Sequence, residues 1–98
     1  MGVLNVVVGA LRMDLTLPGN DSLKGKRRIL RSLIDRLRSK FGVAVAEVDH
    51  LDSWQRAGVG VACVSNDAVI ANEVLSRVVR WVEDNYDGIL NHSEVRLW

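Results

Sequence analysis

The chain has 98 residues, 48% of them hydrophobic, and a net charge of +1, which suits one domain over residues 1–98. A single cysteine excludes an internal disulfide. With no apolar run long enough to span a bilayer and no secretory leader, the sequence predicts a cytoplasmic protein without a membrane partner. The small net charge hides an asymmetry, because residues 24–40 hold eight Lys/Arg and one acid, whereas the remainder holds five Lys/Arg and eleven acids.

The first half of the chain reads as a strand followed by a helix. Residues 3–17 are rich in Val, Leu and Met, and their second half alternates with the period of a strand. After a Pro-Gly break at 18–21, Ser22 is a plausible N-cap for a helix to Phe41, although Asp21 could serve instead. The apolar stripe predicted for this helix is Leu23, Leu30, Leu33, Ile34, Leu37 and Phe41.

The second half predicts two strands, a helix and a last strand. Residues 43–49 and 56–64 read as strands joined by a loop, and three candidate N-caps at 65–67 open the second helix. Asp87-Gly88 ends that helix, and residues 89–98 form the fourth strand.

This order is β-α-β-β-α-β, and right-handed crossovers interleave its two halves into an α+β, ferredoxin-like sandwich. The expected antiparallel sheet has the strand order 4-1-3-2 and both helices on one face. If the alternating Leu and Met side chains of the first strand face the helices, then Leu4, Val6 and Val8 face the open side. An apolar strip there predicts a homo-oligomer, most simply a dimer.

A basic cluster marks the start of the first helix. Lys24, Lys26, Arg27 and Arg28 lie where the helix dipole disfavours cations, at a cost of roughly 0.3–1 kcal/mol each. Two interpretations stay open: a solvated helix face in which Arg31 pairs with Asp35, or a surface that contacts phosphates. The predicted nucleic-acid or anion-binding residues are Lys24, Lys26, Arg27, Arg28, Arg31 and Arg38.

Recognition of a particular RNA sequence is poorly supported, because RNA-recognition domains of this fold stack bases on aromatic residues of the sheet. The third predicted strand contains no aromatic residue. Any RNA would therefore be bound through phosphates and shape, and no DNA specificity is expected.

The loop before the third strand offers a second candidate, formed by Trp54, Gln55 and Arg56. The favoured interpretation is a charged hairpin tip that Trp54 anchors, with Arg56 paired to Asp49 or Asp52. An exposed recognition residue at Trp54 is the alternative. The loop has too few ligands for a cation site, so no metal is expected.

No constellation of residues predicts catalysis. His50 and His92 lie far apart with no neighbouring nucleophile, and Cys63 lies in an apolar strand where an inert thiol is the usual case. Gly58-Val59-Gly60 lacks the third glycine and the helix of a dinucleotide site, and it favours close packing or a bulge instead. No catalytic residue and no cofactor is therefore expected.

Three segments together resemble the YlxP-like family of small bacterial proteins, a domain of unknown function. These segments are Ser22-Leu23-Lys24-Gly25-Lys26-Arg27-Arg28, Glu47-Val48-Asp49 with Trp54-Gln55-Arg56, and Ser65-Asn66-Asp67. The resemblance implies a ferredoxin-like fold. It also implies a role near the ribosome, because the family's genes often lie beside those for translation initiation factor 2 and ribosome-binding factor A.

The expected function is therefore that of a non-catalytic binding protein of translation or ribosome assembly, which contacts RNA phosphates through the first helix. The alternative is a homo-oligomeric domain that binds a small anion, as ACT-type domains do. An acylphosphatase-like enzyme ranks third, since residues 17–21 match its phosphate loop poorly.

Overall fold

The computed structural model describes residues 5–98 and contains a four-stranded antiparallel sheet with two helices. The elements in chain order are β1 (Val7–Thr16), α1 (Leu23–Phe41), β2 (Ala44–Asp49), β3 (Arg56–Ser65), α2 (Ala68–Asn85) and β4 (Ile89–Leu97). Across the sheet the strands lie in the order β2-β3-β1-β4, which confirms the predicted ferredoxin-like topology.

The helix boundaries follow from their capping residues. Ser22 is the N-cap of α1, where its Oγ accepts a hydrogen bond from the Gly25 amide at 3.0 Å. Gly42 ends α1 in the left-handed conformation, with a φ of 62°. Asp67 is the N-cap of α2, and its carboxylate accepts from the amides of Val69 and Ile70.

The core lies between the helices and one face of the sheet. Leu11, Met13 and Leu15 are buried on β1, as the alternation predicted. The helices contribute their apolar stripes to the same cluster through Leu30, Leu33, Leu37, Leu75, Val78 and Val82. Because each strand alternates, the side chains between the buried positions of β1 lie on the open face of the sheet.

Both edge strands carry one extra residue near the same end of the sheet. In β2, Glu47 pairs with Val59 and Asp49 pairs with Gly58, so Val48 between them is the extra residue. In β4, Asn91 is inserted opposite the step from Asp14 to Leu15 of β1, and its side-chain amide donates to Thr16 Oγ1 at 2.7 Å. These are β-bulges, which bend an edge strand and increase its twist.

Candidate nucleic-acid interface

Four cations form a single exposed row on α1. Lys24, Arg27, Arg28 and Arg31 follow the spacing i, i+3, i+4, i+7, and all four side chains are exposed around a shallow depression that also includes Ser32 and Asp35. Within residues 5–98, none of the four has a carboxylate within 4.0 Å. We call these four residues the basic row; Asp35 borders it without forming an ion pair with any of the four.

The Arg31–Asp35 pair of the solvated-face interpretation is not formed. Asp35 instead lies 4.0 Å from Arg38 Nη1, and Arg38 also donates to the backbone carbonyl of Val45 at 2.7 Å. Arg38 therefore links the end of α1 to β2, and it borders a second depression together with Arg27 and Arg31 of the basic row.

Lys26 does not belong to the exposed surface with which it was predicted. Its side chain is 2% exposed, and its Nζ donates to the carbonyl oxygen of His50 at 2.6 Å. Nζ also lies 2.7 Å from Glu47 Oε2, which accepts no well-directed hydrogen bond, so this contact is an ion pair. Lys26 thus fastens α1 to the β2–β3 hairpin and has no free charge to offer a ligand.

Asn20 ties the start of α1 to the hairpin tip a second time. Its side-chain amide donates to the carbonyls of Ser22, at 2.8 Å, and of Trp54, at 2.6 Å. Gly25 makes room for it, because a Cβ there would lie 2.5 Å from Asn20 Oδ1. This explains a glycine in the first turn of a helix, where it otherwise costs up to about 1 kcal/mol relative to alanine.

The three predicted loop residues have different roles. Gln55 holds the tip in place, since its carbonyl accepts from the Leu17 amide at 2.8 Å and its side chain donates to the Asn20 carbonyl at 3.3 Å. Trp54 is 53% exposed, and the hydrogen bonds that hold the tip involve backbone groups and side-chain amides rather than its ring. The Arg56 amide donates to Ser53 Oγ at 3.1 Å, and its side chain forms no ion pair with Asp49 or Asp52 within residues 5–98.

Arg12 is the cation that pairs with Asp49. Its guanidinium donates to Asp49 at 2.8 Å and to Asp14 at 2.9 Å on the open face of the sheet. These bonds raise the pKa of Arg12, and the bond from Arg12, followed by that from the His50 amide, lowers the pKa of Asp49. Gly58 lets the Arg12 side chain cross β3, because a Cβ at position 58 would lie 3.2 Å from Arg12 Nη2 and 2.8 Å from Asp49 Cβ. Its alternation with Gly60 therefore reflects close packing beside a bulge, as predicted.

The open face has an apolar half and a charged half. A depression of about 540 Å³ has a floor of small side chains and a border that includes Val48 and Trp98. Its small residues are Ala10, Ala44, Ala46, Gly60 and Ala62. Of the residues predicted for this face, Val8 lies at one end of the sheet, where it pairs with Val64 and Trp98. Val6 precedes β1 and is partly buried. Leu4 lies outside the described residues.

Tyr86 joins the end of α2 to the end of β1. Its hydroxyl donates to the Thr16 carbonyl at 2.8 Å, and burial, followed by the nearby Asp87 charge, raises its pKa to about 12. Gly88 is required beside it, because a Cβ there would collide with both partners of this bond.

Within residues 5–98 there is no cluster of three His, Cys, Asp or Glu side chains that could hold a metal ion. Neither helix in this range is long and apolar enough to cross a membrane. Cys63 is partly buried, and its Sγ lies 3.7 Å from the Ala71 carbonyl.

Sequence reasoning missed Arg12, Asn20 and Glu47. The sequence feature that could have pointed to Asn20 is Gly25, because a glycine is unusual in the first turn of a helix and indicates a close neighbour. The signal for Glu47 was an acid at a position of β2 that alternates with the apolar Val43 and Val45, because an acid packed against a helix needs a partner.

An α+β sandwich with the element order β-α-β-β-α-β and an open antiparallel sheet defines a ferredoxin-like domain. Among solved structures, the de novo designed protein Foldit4 has this fold, with a TM-score of 0.55 at 17% identity over 95% of this chain and 96% of its own. SnoaB, a cofactor-independent oxygenase from Streptomyces nogalater, aligns over 96% of this chain and 91% of its own at 13% identity, with a TM-score of 0.44.

Residues 8–95 match the family described as "Protein of unknown function (DUF503)", and the chain belongs to that family. The uncharacterized protein YlxP of Bacillus subtilis (strain 168) is 31% identical over 77 residues, which cover 79% of this chain and 84% of that protein. The YlxP-like resemblance seen in the sequence motifs is thereby confirmed.

Proposed function

We propose that this protein binds RNA phosphates through the basic row of α1 and acts without catalysis in translation or ribosome assembly. The observation that carries the proposal is the row itself: four exposed cations on one helical stripe, none of which forms an ion pair within residues 5–98. Such a row is unfavourable at a helix N-terminus in the isolated protein, and an anionic ligand reverses that penalty.

A polyanion suits this row better than a small anion. The four cations extend over two helical turns, about 10 Å along the axis, and surround a shallow surface rather than an enclosed pocket. Small ligands are normally held in a concave site that buries most of their surface. A nucleic-acid backbone presents successive phosphates along such a length, and contacts to it carry no sequence information.

The test is a salt titration of the affinity for structured RNA. Lys24→Ala with Arg28→Ala removes two cations of the row, and Arg77→Ala with Arg80→Ala removes the same charge from the exposed side of α2. The slope of log affinity against log salt should fall by about 2 in the first variant, since each lost phosphate contact lowers it by about 1. The α2 variant should keep the parent slope.

Equal slopes in all three proteins would overturn the proposal. Absence of RNA binding at about 50 mM salt, where phosphate contacts are strong, would do the same. Saturable binding of inorganic phosphate without RNA binding would instead favour the small-anion domain.

We also propose that a second copy of the chain covers the open face. A surface that packs against the same surface of a second copy needs little net charge, because like charges would otherwise face each other. The open face meets this condition with three cations and three acids, which are Arg12, Arg56, Arg96, Asp14, Asp49 and Glu94. Four strands of about nine residues cover roughly 600 Å². This is somewhat below the ~800 Å² per partner of a standard interface, so the expected dimer is weak.

A further inference from the structure

We infer that the RNA bound by the basic row contributes an unpaired base, which stacks on the exposed ring of Trp54. This inference rests on the proposed function and specifies its ligand as RNA with a single-stranded element. It starts from the position of Trp54, the only tryptophan that is exposed at the end of the molecule where α1 begins.

The other two tryptophans are unsuited to the role. Trp81 is partly buried on α2, and the guanidinium of Arg36 covers its ring at 4.6 Å from the centroid. Trp98 is 58% exposed but pairs with Val8, at the opposite end of β1 from the hairpin tip.

The backbone of Trp54 lies at the end of α1 where the row begins. One nitrogen, Asn20 Nδ2, is hydrogen-bonded to the carbonyl oxygens of both Ser22 and Trp54, at 2.8 and 2.6 Å. The backbone of Trp54 therefore lies beside the N-cap of α1, and Lys24 follows that cap by two residues. A strand whose phosphates lie along the row can place its next base at the indole.

The hairpin tip is also rigid enough to present the ring. It is joined to α1 and the preceding loop by Lys26 Nζ on the His50 carbonyl, by the Leu17 amide on the Gln55 carbonyl, and by Asn20. A large apolar ring held in water on a fixed frame has an unfavourable solvation energy that a stacked base relieves. Base–aromatic stacking also tolerates any sequence, as phosphate contacts do.

A base in a continuous duplex is already stacked on both faces, so only a single-stranded segment can offer one to Trp54. The experiment compares a single-stranded RNA of mixed sequence with a blunt, closed duplex of equal length, by fluorescence anisotropy at fixed salt. The proteins are the parent, Trp54→Ala, Trp54→Phe and the matched control Trp98→Ala, each checked for an unchanged circular dichroism spectrum.

Trp54→Ala should weaken single-strand binding roughly tenfold, while Trp54→Phe retains most of the affinity and Trp98→Ala retains all of it. Duplex binding should be the same in all four proteins. The salt slope of Trp54→Ala should equal that of the parent, because no phosphate contact is lost.

Two results overturn this inference alone: single-strand affinity that Trp54→Ala leaves unchanged, or a loss that is equal for the single strand and the duplex. The first of these, with salt-dependent RNA binding intact, would assign Trp54 to a protein partner instead. If the parent binds neither RNA, the proposed function and this inference fail together.

Discussion

Lys24 and Lys26 are two residues apart on one helix and have opposite surroundings. Lys24 is exposed on the basic row, whereas Lys26 is enclosed between Glu47 and the His50 carbonyl. The helical period places them about 200° apart, so one lysine projects into solvent while the other stabilises the fold.

We expect Lys26→Met to lower the free energy of unfolding by about 2–4 kcal/mol, because it leaves the Glu47 carboxylate packed without its cation. Urea denaturation measures the change. Lys26→Met with Glu47→Leu should recover much of the loss, since replacing both partners removes the unpaired charge. A fully stable Lys26→Met single variant would contradict the structural role assigned to the ion pair.

Tyr86 predicts a loss of stability at alkaline pH. Its pKa in the folded protein is about 12, above the ordinary value of 10, so the folded state holds the proton more tightly than the unfolded chain. The stabilisation is complete below pH 10 and is lost as the pH rises from about 10 to 12. Because this is the only tyrosine in the chain, the absorbance of tyrosinate reports its titration directly.

The control is Tyr86→Phe, which keeps the ring but removes the hydrogen bond to Thr16. It should cost about 1 kcal/mol at neutral pH and show a shallower decline in stability between pH 10 and 12. A parallel decline in both proteins would mean that Tyr86 is not responsible.

At the scale of elements, α1, β2 and β3 are joined at one end by side chains rather than by apolar packing alone. Lys26 and Asn20 connect α1 and its leading loop to the hairpin, and Arg12 connects β1 to β2 across β3. The hairpin tip therefore has a defined position relative to the basic row.

The Arg12 side chain crosses β3 at Gly58, and this predicts that substitutions of Gly58 and Gly60 differ in their effect on stability. Gly58→Ala should lower the free energy of unfolding by about 1–3 kcal/mol, because its Cβ would meet Asp49 Cβ at 2.8 Å beside the bulge. Gly60→Ala should cost less, since its neighbour is the exposed Val48 side chain, which can rotate away. Thermal unfolding of both variants checks this order, and the reverse order would contradict it.

The elements and their order could be predicted from periodicity, caps and turn residues, because these are local signals. The N-cap at Ser22, the end of α1 at Phe41 and the alternation around Met13 all agree with the sequence pattern. The burial of Lys26 and the exposure of Trp54 could not be predicted, because each depends on how a hairpin meets a helix distant in sequence.

At the scale of the molecule, the basic row and the apolar depression are on opposite sides. The basic row lies on the helical side, and the apolar depression lies on the open face of the sheet. A dimer through the open face would therefore leave both basic rows exposed, one on each outer side.

We expect sedimentation of the parent at about tens of micromolar to detect a dimer, as suits a small interface. Val64→Glu adds a charge on the open face at a side chain that is 72% exposed, and it should give a monomer without loss of stability. The matched control Val69→Glu, on α2 and 67% exposed, should sediment like the parent. A monomeric parent would show that the open face has another use.

The two bulges have a consequence for how the sheet ends. An edge strand with a straight row of unpaired amides and carbonyls is a template on which strands of other molecules assemble into fibrils. Val48 in β2 and Asn91 in β4 interrupt that row on both edges, near the same end of the sheet. Copies of this protein are thus discouraged from joining edge to edge into an open-ended ribbon, whereas the proposed association through the open face would close after two copies.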